Sequence, residues 1–126
     1  MDLSKLIAEV SKKVNGSHTA YDHTKSFIVI PVAKRYQSVL AEYIKMDGFR
    51  YIEVSSKICR EDESPDKLFK IEKKLKFAKL AFKGGFLQTV CYLDENMNSD
   101  LAAAIITEVA TFADEQEKLI TGQDIF

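Results

Sequence analysis

Residues 36–60 read YQSVLAEYIKMDGFRYIEVSSKICR. Two runs rich in β-branched and aromatic residues, Tyr36 to Lys45 and Phe49 to Arg60, flank Met46-Asp47-Gly48. Asp-Gly between such runs is the strongest short-range hairpin signal, because both residues accept the positive φ that matches the twist of the strands. With Asp47 and Gly48 as the loop, the pairing is determined. Val39, Ala41 and Tyr43 lie beside Ile52, Val54 and Ser56 on one face, which predicts the core side. The opposite face sets Ile44 near Tyr51, Leu40 near Ser55 and Glu42 directly across from Glu53, while Lys45 faces Arg50 near the turn. Each like-charge pair is a cost that the fold has to offset.

The rest of the chain extends this hairpin in both directions. Upstream, Leu3, Leu6, Ile7, Val10 and Val14 recur at helical spacing behind Asp2, and Asn15-Gly16 supplies a helix stop, so a helix is expected over about residues 2–14. The polar stretch GSHTAYDHT reads as a loop leading into a strand from Lys25 to Ala33 with apolar residues on both faces. Pro31 has no amide hydrogen, which confines that point to an edge, a bulge or a strand end. Downstream, Ser64-Pro65-Asp66 predicts a capped helix running to about Lys74. Lys76 to Lys83 and Phe86 to Leu93 flank Gly84-Gly85, a second two-residue loop, which pairs Phe82 with Leu87, Leu80 with Thr89 and Ala78 with Cys91 on the core face. Asn98 or Ser99 then caps a long helix, with Leu101, Ile105, Val109, Phe112 and Gln116 to Leu119 in one stripe, ending before Gly122. The predicted order is α-β-β-β-α-β-β-α. It describes an α+β domain in which helices pack on one face of a five-stranded antiparallel sheet.

Length and composition agree with one such domain across residues 1–126. The chain has 126 residues, 46% of them hydrophobic, enough for one core. Lys and Arg number 18 against 19 Asp and Glu, a net charge of -1 that gives no global drive toward nucleic acid or an anionic membrane. The longest apolar run, Phe27 to Val32, is far short of a membrane helix, and the first ten residues carry Asp2 and Glu9 where a signal peptide would be basic and then apolar. Cys59 and Cys91 lie far apart with no metal-ligand spacing. A cytoplasmic protein without membrane contact is expected.

Several residues carry potential chemistry. Glu42 and Glu53 are two carboxylates held together, the arrangement that divides acid and base roles in some enzymes; a solvated sheet face with nearby lysines is the simpler account. His18 and His23, with Asp22 between them, lack the spacing that converges two imidazoles on a metal. No nucleophile elbow or phosphate-binding glycine loop occurs, so no catalytic, cofactor or metal residue is assigned. Lys67, Lys70, Lys73, Lys74, Lys76, Lys79 and Lys83 make one basic stretch, opposed only by Asp66 and Glu72, while the chain from Asp94 onward holds eight acids against Lys118 alone. The lysines suit either a nucleic-acid surface or stems laid over apolar neighbours, and the opposite charges can pair within the fold or between subunits. The outer face of the second hairpin sets Phe77 beside Tyr92, Val90 beside Lys79 and Phe86 beside Lys83. Aromatic and β-branched residues rimmed by lysine suit either a protein interface or an ordinary half-exposed sheet.

The order of elements and several strings bear a resemblance to a known family. The strings are Arg35-Tyr36-Gln37-Ser38-Val39, Ile52-Glu53-Val54-Ser55-Ser56, the helix and hairpin from Asp66 to Leu93, and Ala113-Asp114-Glu115-Gln116-Glu117 followed by Gly122-Gln123-Asp124. In these the chain resembles the YbjN-like branch of the Tir-chaperone (type III secretion chaperone-like) fold. The resemblance implies a non-enzymatic homodimer that holds an extended segment of another protein, or regulates, with no cofactor and no shared catalytic set. Secretion chaperones of this fold are acidic, and this chain departs from them in its near-neutral charge and lysine-rich middle. The predicted partner or dimer surface comprises Leu68, Phe69, Phe77, Phe86, Val90 and Tyr92; the alternative is a nucleic-acid-associated regulator that uses the Lys67 to Lys83 stretch.

Overall fold

A computed structural model describes residues 2–122; Gln123 and Asp124 of the last matching string lie outside the described residues. The chain forms α1 (Leu3–Lys13), β1 (Ser17–Asp22), β2 (Lys25–Val32), β3 (Arg35–Met46), β4 (Phe49–Arg60), α2 (Lys67–Ile71), β5 (Lys79–Lys83), β6 (Phe86–Leu93) and α3 (Ser99–Thr121), with 3-10 turns at Glu61–Glu63 and Glu72–Lys74. All neighbouring strands are antiparallel in the order β1-β2-β3-β4-β6-β5. The architecture is α+β, as expected, with six strands rather than five. The extra strand is β1, in the stretch read as a loop. All six of its residues are exposed, so burial imposes no alternation on its sequence. It is closed onto β2 by Asp22, whose carboxylate accepts from the amides of Thr24 (2.7 Å) and Lys25 (3.0 Å).

The two glycine-containing hairpins have the expected register. Leu40 lies opposite Ser55 and Glu42 opposite Glu53; Leu80 lies opposite Thr89 and Phe82 opposite Leu87. Asp47, Gly48, Gly84 and Gly85 all take positive φ, which is the backbone a two-residue loop of this twist demands. Pro31 is accommodated by parity. Tyr43 N–H donates to Thr24 C=O at 2.9 Å, so in the uninterrupted β2–β3 register every second pair from there is hydrogen-bonded, and Pro31 falls on the alternate set. Its missing amide points toward β1, which has already ended at Ser17 opposite Val29.

Three expectations are corrected. The middle helix is a single five-residue segment, and Ser64 does not cap it; the hydroxyl of Ser64 donates back to Glu61 C=O at 3.0 Å. The fifth strand starts at Lys79, not Lys76, because the amides of Lys76, Phe77 and Ala78 bind the Glu108 carboxylate of α3, each at 2.9 Å. Consequently neither Phe77–Tyr92 nor Ala78–Cys91 is a ladder pair. The buried stripe of α3 is Ala102, Ile105, Ile106, Val109, Ala110, Ala113 and Asp114, extending to Gln116 and Glu117, whereas Leu101 and Leu119 are exposed.

All three helices lie on one side of the sheet. Leu3, Leu6, Ile7 and Val10 of α1 and Ile106 and Val109 of α3 pack with Ile28, Ile30, Val39, Ala41, Ile52 and Val54. A second cluster joins Leu68 of α2 and Ala113 of α3 to Leu80, Leu87, Ile58 and Cys59. The β4–β6 register shifts between Lys57 and Cys59, and this bulge lets Ile58 and Cys59 both be buried there. Arg35 at the start of β3 grips the buried Asp114 carboxylate through Nε at 3.1 and 3.2 Å, fastening α3 to the sheet.

Candidate protein-binding surface

With every helix on one face, the alternation of the strands turns a complete second set of side chains away from the core. That open face presents Phe27 and Val29 from β2, Leu40, Glu42 and Ile44 from β3, Tyr51, Glu53, Ser55 and Lys57 from β4, Phe86, Gln88, Val90 and Tyr92 from β6, and Lys79, Ala81 and Lys83 from β5. A depression of about 500 Å³ opens on it, with Phe27, Leu40 and Phe86 as apolar walls, Ser38, Ser55 and Gln88 as polar lining, and Lys57 and Lys83 at the rim. The Lys57 ammonium sits 4.2 Å from the centre of the Phe86 ring, a cation–π contact that holds the ring in place. Tyr21 of β1 meets Phe27 edge to face at 6.4 Å, continuing the aromatic surface to that edge.

The acidic pair on this face is neutralised where it stands. Lys83 forms an ion pair with Glu53 and approaches Glu42 at 4.0 Å, and Lys25 approaches Glu42 from the other side at 3.3 Å. The two facing glutamates are thus flanked by lysines, Lys25 beside Glu42 and Lys83 beside Glu53, which offsets their repulsion. Tyr92, beside Glu53, has its phenol pushed up by burial of the ring and by the neighbouring carboxylate. The other like-charge pair is relieved similarly: Arg50 folds over the Tyr43 ring at 4.2 Å and binds Glu95 at 2.8 Å.

The six residues expected to form one surface divide among three places. Phe86, Val90 and Tyr92 are on the open face, where Tyr92 is 47% exposed but Val90 only 6%, shielded by its neighbours. Leu68 is fully buried on the helix side and belongs to the core, so it is no part of a surface. Phe69 is exposed on α2, on the helix side, against Phe82 at 5.7 Å between ring centres. Phe77 is exposed at the start of the β5 edge, held there by the Glu108 carboxylate. The walls Phe27 and Leu40 were missed, although the hairpin register already turned Leu40 outward; β2 had to be paired with β3 before the two met.

The remaining reactive groups are placed apart. His18 lies on β1 and His23 in the following turn, and Asp22 between them is engaged by its own turn. Burial pushes both the Cys59 and Cys91 thiols up, and Cys91 donates to Phe77 C=O at 3.4 Å. Among the described residues no helix is long and apolar enough to cross a membrane.

Comparison with known proteins gives little beyond this geometry. No protein-family model matches the chain. No curated protein matches it. Among solved structures it is similar to one described as the crystal structure of the ExsC–ExsE complex, at 12% identity over 95% of this chain and 97% of that one, with a TM-score of 0.47.

Proposed function

We propose that this chain is a non-enzymatic protein-binding module that holds a segment of a partner protein on its open sheet face and acts as a homodimer. The observation that carries this reading is the depression between Phe27, Leu40 and Phe86, an apolar surface on the side of the sheet that no helix of the described residues covers. Apolar side chains with a few convergent hydroxyl and amide groups and a lysine rim provide the anchor pocket and polar margin of a protein interface. The glutamate pair supports no catalytic role in this reading, since Lys83 and Lys25 neutralise it. The short strings resembling YbjN-like and secretion-chaperone proteins agree with a chaperone-like or regulatory role in the cytoplasm, exercised through a captured segment.

The test is site-specific photocrosslinking in the protein's own cells. A benzophenone side chain placed at Phe86 is expected to capture one discrete protein, or a second copy of this chain, and the adduct is expected to vanish when Leu40→Asp is added. The same group at Ala104, exposed on α3, is the control and is expected to capture neither. Equal labelling at both positions, or an adduct indifferent to Leu40→Asp, would overturn the assignment of this face.

A further inference from the structure

The basic stretch is not a uniform solvated face. After α2 the chain turns through Glu72–Lys74 and meets the edge of β5, and between them lies a groove of about 740 Å³. Lys70, Lys73, Lys76 and Lys79 line it together with Phe69 and Phe77, whose rings are 43% and 42% exposed. Glu72, the acid within the groove, is engaged by the Leu80 amide at 2.6 Å, and nearby Glu108 by the amides of residues 76–78.

Of the acidic C-terminal third, Glu108 reaches this groove and lies in the field of Lys76, while other acids are engaged elsewhere. Glu95 binds Arg50, Asp100 binds Lys13 and Asp114 binds Arg35. Among the described residues none of the four groove lysines has an ion-pair partner. Even with Glu72 and Glu108 close by, four lysines leave an excess of positive charge beside two exposed rings.

We propose that this groove docks a short acidic segment of a partner protein, its carboxylates against Lys70, Lys73, Lys76 and Lys79 and an apolar side chain against Phe69 and Phe77. The occupant binds through side chains and not as an added strand, because the Ala78 and Leu80 amides at this edge are already held by Glu108 and Glu72. Protein is favoured over nucleic acid on three grounds. The chain as a whole is slightly acidic, no arginine lines the groove, and Phe69 leans on Phe82 at 48° and does not stand free as a base-stacking platform. The proposal rests on the protein-binding reading only in taking the partner to be protein; its residues are different.

Fluorescence anisotropy on the full chain tests it, with a labelled peptide of alternating Glu and Asp around a central Leu-Phe pair, a lysine-substituted version of that peptide, and single-stranded DNA of similar length. The acidic peptide is expected to bind saturably and more weakly as salt rises, and the lysine-substituted peptide not to bind. Lys73→Glu with Lys76→Glu is expected to weaken it by about tenfold or more, and the Gln pair by less. Phe77→Ala is expected to weaken binding without changing its salt dependence, and Phe86→Asp on the open face to leave it unchanged. Circular dichroism checks each fold; should the Glu pair unfold the chain, the Gln pair decides. Absence of saturable binding, or binding indifferent to the lysine substitutions, would overturn the proposal. DNA that binds more tightly and displaces the peptide would replace a protein occupant with nucleic acid. Loss of the Phe86 crosslink with groove binding intact would count against the open face alone.

Discussion

At the scale of single residues, two positions hold the sheet to its helices by means that composition does not reveal. After α1, Asn15 turns left-handed and the Gly16 amide returns to Ser11 C=O at 2.9 Å, closing the helix with the bond pattern of a Schellman cap. A Cβ on Gly16 would stand 2.4 Å from Val29 C=O, a backbone atom of β2 that cannot swing aside. Gly16→Ala is therefore expected to destabilise by about 2 kcal/mol, as overpacking against fixed backbone does, and an unchanged urea midpoint would contradict that contact. The Arg35–Asp114 pair is asymmetric: the Asp114 side chain is 1% exposed and that of Arg35 25%. Removing Arg35 strands a buried carboxylate, whereas neutralising Asp114 leaves a guanidinium with a route to water. Arg35→Met is expected to cost about 3 kcal/mol and Asp114→Asn less, so the reverse ranking in urea unfolding would show the pair is not what secures α3.

At the scale of elements, Glu108 decides where β5 begins. Burial pushes its carboxyl up, but the Ala78, Lys76 and Phe77 amides outweigh that and hold it below the usual glutamate range. An acid lowered in the folded state stabilises above its unfolded value, about 4.3, and loses that contribution as pH falls through its folded value. Glu108→Gln is accordingly expected to destabilise by about 1 kcal/mol at neutral pH, with the gap from the parent closing as pH falls below about 4. A gap independent of pH would remove the charge from the account. Loops and registers were legible here to different degrees for a physical reason. Asp47-Gly48 and Gly84-Gly85 confine the backbone so tightly that every pair on β3–β4 and β5–β6 follows from them. β1 carries no such mark, since an exposed edge strand buries neither face. The late start of β5 depends on a carboxylate contributed from α3, far along the chain, which no local pattern announces. Leu68 was misplaced because α2 is short: one buried residue on a five-residue helix leaves no periodicity to read.

At the scale of the whole molecule, an amphipathic sheet with its helices on one side has to place the other side against water or against a partner. This one already shields part of itself: Val90, Ser55 and Gln88 are buried on the open face although nothing covers them from outside. Neighbouring side chains shield the middle of the face, and its exposed apolar surface lies at Phe27, Tyr92 and the walls of the depression. Substitutions on one face should then separate by position. Val90→Asp places a charge where the strands close over it and is expected to destabilise by about 3 kcal/mol or to prevent folding. Tyr92→Asp and Phe86→Asp should leave the chain folded and, because two copies of this face bring like aromatic surfaces and Lys–Glu clusters together, should shift a dimer toward monomer. Sedimentation velocity over a range of concentrations reads this directly. If the parent and both variants sediment alike while Val90→Asp unfolds, the shielding of the face's middle stands and the second copy is removed from this face, leaving the depression to a different protein.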